Sequence, residues 1–140
     1  MMSRRAVVVM RFPQRHINFF VMRKLDSLEA WRHGRQLSRD AYRLTLTGPL
    51  NRHFSLADQI RRAAASIPAN VAEGYALATT PQFMRCLRVA LGSATELLTH
   101  LELALEMELI PESVAKKTLE SCDREIGLLI GLLRRLGTRR

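Results

Sequence analysis

The chain has 140 residues and carries 22 Lys and Arg against 13 Asp and Glu, a formal charge of +9. That length fits one domain with a core of its own, and the charge points to an anionic partner, nucleic acid being the usual one. The 2 cysteines and 4 histidines exclude a disulfide framework and offer no metal-ligand spacing, and no apolar run approaches a membrane span.

Residues 1–24 read as a basic extension separate from the folded body. Arg4, Arg5, Arg11, Arg15, Arg23 and Lys24 lie there without an acid, which leaves the rest of the chain at only +3. Ser3-Arg4-Arg5 before Ala6–Met10 has the charge order of an export signal. The apolar run is too short for one, Arg11 ends it, and no small-residue cleavage site follows. A disordered extension or an over-long start accounts better for the segment, with Met10 and Met22 as candidate starts. Ile17–Phe20 would dock on the fold if the segment is translated.

A first helix is expected from Ser27 to Thr47, with Leu28, Trp31, Leu37 or Ser38, Ala41 and Leu44 inward and Gly48-Pro49 as the terminator. Its outer side carries Arg32, Arg35, Arg39 and Arg43 at spacings of three and four. At ~1.5 Å per residue they form a basic ridge about 16 Å long. Guanidinium groups pair well with phosphate oxygens, so these four are the candidate nucleic-acid-binding residues. A solvated helix face, or a face paired with acids of the same protein, has the same pattern. Phe54 is placed to staple the start of the next helix.

The second helix is expected from Ser55 to Gly74, with Ser55 as N-cap, Asp58 in the first turn and Gly74 as the stop. Leu56, Ile60, Ala63/Ala64, Ile67 and Val71 form its apolar stripe. Pro68 lacks an N–H and should break an interior helix, yet the stripe keeps its phase across it. The reading is one helix kinked at Pro68. The other face carries a row of mostly short polar groups. From it Gln59, Arg62, Ser66, Asn70 and Glu73 are the candidate oligomer-interface residues, with an ordinary solvated face as the alternative.

Thr79-Thr80-Pro81 suits an N-cap and helix start. The third helix is expected over Pro81–Glu108, inward through Phe83, Leu87, Ala90/Leu91, Ala94, Leu97/Leu98, Leu101 and Leu105. Ala90, Gly92, Ser93 and Ala94 would let a neighbouring helix approach closely. Arg85 and Arg88 near its start and Glu96, Glu102, Glu106 and Glu108 towards its end oppose the helix dipole, which argues for pairing between helices or subunits. Ile110-Pro111-Glu112 turns the chain. The fourth helix is expected over Pro111–Leu136 with Ala115, Leu119, Cys122, Ile126, Leu129/Ile130 and Leu133 inward. Gly127 and Gly131 would form a close-contact groove, and Arg134, Arg135, Arg139 and Arg140 end the chain. Four long helices with short connections make an all-α, antiparallel up-down-up-down four-helix bundle over residues 25–138.

Gln59, Arg61, Arg62, Ala63, Ser66, Ile67, Pro68, Asn70, Val71, Ala72, Glu73 and Gly74 resemble the Q-x-R-R-A-x-x-S-I-P-x-N-I-A-E-G signature of the 23S ribosomal RNA intervening-sequence proteins. A second block, through Phe83, Leu87, Ala90, Gly92, Ser93, Glu96 and Leu97, resembles that family's F-L-x-x-A-x-G-S-x-x-E-L segment. The resemblance spans roughly residues 25–136 and implies a four-helix bundle, commonly a homopentamer. It implies little about activity. The chain is also similar to the accessory proteins of diversity-generating retroelements, basic pentameric bundles that bind nucleic acid and a reverse transcriptase.

No HExxH, Gly-rich phosphate loop, nucleophile elbow or Cys–His pattern is present, so no enzyme, cofactor or metal is expected. The favoured expectation is a non-enzymatic, cytoplasmic homo-oligomer, a pentamer by the resemblance, that binds RNA or DNA backbone through basic helix faces and has no membrane partner. The alternative is an adaptor whose ring holds a protein partner without nucleic-acid affinity.

Overall fold

The computed structural model describes residues 28–77 and 79–138, so the reading of residues 1–24 lies outside it. Four helices follow one another: α1 (Glu29–Leu44), α2 (Phe54–Ala76), α3 (Thr80–Glu106) and α4 (Glu112–Gly137), with a 3-10 turn at Pro49–Arg52 between α1 and α2. Each helix packs on its neighbour in sequence, and α1 closes the ring against α4, the α2–α3 seam being the most extensive. This is the expected all-α up-down-up-down bundle.

Small and large apolar residues share the core. Ala30, Trp31, Leu37 and Ala41 enter it from α1; Ile60, Ala63, Ala64, Ile67 and Val71 from α2; Leu87, Ala90, Ala94, Leu97, Leu101 and Ala104 from α3. Each fully buried Leu or Ile contributes about 1.5–3 kcal/mol, and the alanines set how closely the backbones approach.

α2 runs unbroken across Pro68, as the uninterrupted stripe predicts. Its ends differ from expectation. The helix starts at Phe54 with His53 as a cap residue that makes no side-chain hydrogen bond, so Ser55 lies one residue inside the helix. Phe54 is 79% exposed and staples nothing. Gly74 is not the stop: it is buried, and the helix continues to Ala76. A Cβ at Gly74 would lie 2.6 Å from the Cys86 Cβ and 3.0 Å from the Phe83 ring. The residue is glycine because the start of α3 crosses there.

α1 ends at Leu44, three residues before the expected end at Thr47. Its last turn is closed from α2: Arg61 donates to the Thr45 hydroxyl at 2.7 Å and to the Thr45 carbonyl at 3.1 Å, and its guanidinium lies 5.2 Å from the Tyr42 ring. Gly48, at φ 68°, then turns the chain into Pro49. α3 begins at Thr80, one residue before the expected Pro81, and is capped by Thr79, whose hydroxyl accepts from the Gln82 N–H at 3.4 Å. It ends at Glu106, earlier than expected. The Glu108 N–H donates to the Leu105 carbonyl at 2.9 Å and the Leu109 N–H to the Ala104 carbonyl at 2.8 Å. With Glu108 at φ 58°, this is a Schellman ending in which Glu stands where Gly is preferred.

The register of α4 is the main correction. Its buried positions are Ala115, Thr118, Cys122, Glu125, Leu129 and Leu132. Leu119, Ile126 and Leu133, expected inward, flank this line half-buried. The spacing of three and four holds throughout, but one core position is a glutamate. The expected close-contact glycines do not meet a neighbouring helix within the chain: among the described residues, nothing lies within 4 Å of a Cβ at Gly92, Gly127 or Gly131.

Candidate nucleic-acid interface

α1 presents Arg32, Arg35, Arg39 and Arg43 exposed along one side, as the spacing predicts. Among the described residues, none of the four is in an ion pair. Arg35 lies over the Trp31 ring at 4.6 Å, which stiffens the side chain and leaves its N–H groups free to donate. Arg39 donates to Gln36 Oε1 at 2.7 Å, and the Gln36 side-chain amide donates to Asp40 Oδ1 at 3.0 Å. Four guanidinium groups therefore stand in solvent with donor capacity to spare.

The ridge runs into a cleft. Between the end of α1 and the start of α4 lies a cavity of about 450 Å³ whose lining includes Asp40, Arg43, Leu44, Ile110, Val114 and Lys117. Arg43 belongs to both features.

The polar row of α2 divides. Gln59, Arg62 and Glu73 are exposed, and Arg62 pairs with Asp58 on its own helix at 2.8 Å. Ser66 and Asn70 are half-buried and bonded inside the chain. The Asn70 amide donates to the Ser66 carbonyl and hydroxyl at 2.8 and 2.9 Å, and Ser93 of α3 donates to the Ser66 hydroxyl at 2.9 Å. Ser66 ties α2 to α3, and Asn70 braces it from the next turn of α2. Gln59 lines an open, mainly apolar groove with Phe54, Leu103 and Met107, all three exposed.

Sequence reasoning missed one polar pair. Glu125 of α4 is wholly buried, and one of its oxygens lies 2.8 Å from His33 Nδ1 on α1. The other oxygen has no hydrogen-bond partner among the described residues. Burial pushes the Glu125 carboxyl up to about 8, and burial followed by the charge of Arg124 lowers His33. Both directions favour a neutral pair, with the protonated carboxyl donating to an unprotonated Nδ1. Neutrality also limits the cost of the unpartnered oxygen. Gly34 makes room for it, since a Cβ there would lie 2.9 Å from that oxygen. The available signal was Glu125's position in the three-and-four register of the α4 core.

The chain is thus an all-α bundle with a basic helix face, a cleft at one end of that face and a neutral polar pair in its core. It belongs to the 23S rRNA-intervening sequence protein family, whose model matches residues 26–131. The crystal structure of a protein of unknown function from the S23 ribosomal protein family of Bacteroides thetaiotaomicron is similar in fold. Its TM-score is 0.68 at 23% identity, over 74% of this chain and 97% of that one. No curated protein matches. No helix among the described residues is long and apolar enough to cross a membrane.

Proposed function

We propose that this protein is a non-enzymatic, cytoplasmic, self-assembling bundle, a pentamer by its resemblance, that holds the backbone of RNA or DNA on the basic face of α1. The observation that carries this is the line of four exposed arginines without an acidic partner among the described residues. Contacts of this kind go to phosphate and read no sequence. Each phosphate neutralised releases counterions, so affinity should fall steeply with salt. The test is fluorescence anisotropy with labelled single- and double-stranded oligonucleotides at low salt. Wild-type protein should bind, and the variant with Arg32, Arg35, Arg39 and Arg43 all changed to Ala should lose most of its affinity. Wild-type affinity in that variant would remove the ridge as the site.

A second reading, the adaptor ring, is favoured by the groove beside Gln59 and by the acidic end of α3. Glu102, Glu106 and Glu108 are exposed and form no ion pair among the described residues. In a ring these acids would pair with the arginines of α1 in the next subunit, and the apolar groove would hold a protein. Light scattering on a sizing column, followed by an RNA and DNA binding assay, separates the readings. A ring without nucleic-acid affinity favours the adaptor, and a monomer at micromolar concentration removes the ring from both.

A further inference from the structure

We infer that the cleft between α1 and α4 seats one unstacked nucleotide of a single strand, a reading that rests on the nucleic-acid role of the ridge. The nucleotide's phosphate lies at Arg43 and Lys117, its base against Leu44, Ile110 and Val114, and its exocyclic amino group at Asp40.

The cavity, at about 450 Å³, falls within the ~300–1,000 Å³ of pockets that enclose whole small ligands. Its chemistry is mixed in a way that matches a nucleotide. Arg43 and Lys117 supply positive charge from two different helices. Leu44, Ile110 and Val114 supply aliphatic wall, and Val114 remains 44% exposed, an apolar surface without a cover in the single chain. A bare phosphate would not need those walls, and an apolar ligand would not need those cations.

Asp40 sharpens the choice. A carboxylate beside two cations is a poor neighbour for a phosphate, but it accepts well from a base amino group. Its Oδ1 already accepts from Gln36, and Oδ2 makes no hydrogen bond among the described residues. Continuity supplies the strand: Arg43 ends the ridge and lines the cleft, so a backbone lying along α1 arrives at its mouth. An unstacked base is available from a single strand or loop and not from an intact duplex. The described cleft lining has no aromatic residue, so the base is gripped by aliphatic side chains rather than by stacking on a ring.

The test is methyl NMR on the full chain with labelled Ile, Leu and Val, titrated with decamers of deoxycytidine and of thymidine, which lacks the exocyclic amine. Leu44, Ile110 and Val114 methyls should shift saturably, with the cytidine strand bound about tenfold tighter, the size of one good base contact. Asp40→Asn should level the two strands. Strand binding that leaves these three methyls unmoved would overturn the seat while leaving the ridge standing. An unchanged preference in Asp40→Asn would overturn the role of the carboxylate, and with it the base assignment. Free deoxycytidine monophosphate binding as tightly as the strand would overturn the strand as the source. Methyl shifts that depend on protein concentration without DNA would put a second copy in the cleft and overturn the proposal. No binding of any strand would remove both this inference and the ridge reading.

Discussion

Raising the pH from 6.5 to 8 should destabilise this bundle through the His33–Glu125 pair, and proton counting gives the size. In the unfolded chain Glu125 titrates near 4.5 and His33 near 6.5. In the fold Glu125 is raised to about 8 and His33 is lowered. At pH 6.5 the unfolded chain carries its proton on His33, whereas the fold, with His33 lowered by burial, carries one on Glu125. Above 6.5 the unfolded chain releases its proton while the fold keeps one until about 8. The folded state then binds more protons, so stability falls by up to ~1.4 kcal/mol per pH unit, and by about 1.3 kcal/mol over this range because each group is half-titrated at one end of it. Urea unfolding followed by circular dichroism at pH 5.5, 6.5, 7.3 and about 8 measures the slope. Glu125→Gln keeps a donor towards His33 and removes the titrating acid, so its stability should be flat above 6.5. A wild-type curve flat from 6.5 to 8, or an equal slope in the Gln variant, would refute the neutral-pair assignment.

Four further outcomes follow from the packing and are read from urea or thermal unfolding. Gly74→Ala should cost about 1–3 kcal/mol despite its better helix propensity, because the added methyl meets the Cys86 Cβ at 2.6 Å. Arg61→Ala should cost about 1.5–3 kcal/mol, as it leaves the half-buried end of α1 without its charged donor, and Arg61→Lys should recover only part of that. Glu108→Gly should stabilise by about 1 kcal/mol, since the αL position then carries no Cβ. Gly92→Ala should raise the stability of the single chain by up to about 1 kcal/mol, because nothing among the described residues meets the new Cβ. If the same change dissociates the assembly on a sizing column, Gly92 lies where copies meet.

The fold was legible because three of the four helices announce themselves by an apolar stripe in register. Pro68 did not mislead, since Ile60, Ala63/Ala64, Ile67 and Val71 keep phase on both sides of it. α4 misled by one position. Glu125 occupies a core place, and a charged residue is normally assigned to the surface, so the stripe was drawn through Leu119, Ile126 and Leu133 instead. Its partner His33 lies 92 residues away, and no local spacing reveals such a pair. Gly74 was misread because a glycine late in a helix has two uses, ending it or admitting a neighbour, and only the position of Cys86 and Phe83 decides between them. The arginine ridge, by contrast, is a property of one helix and needs only the helical period. The cleft at its end needs α1 and α4 brought together, which no stretch of sequence states.

The most direct test of the nucleic-acid reading is the slope of log affinity against log salt for a single-stranded oligonucleotide, measured for wild type and as Arg32, Arg35, Arg39 and Arg43 are removed one after another. Four phosphate contacts predict a contribution of about −2.8 from these arginines, shrinking by roughly 0.7 with each arginine replaced by Ala. A slope that stays constant through the series, or binding that does not respond to salt, would contradict the account.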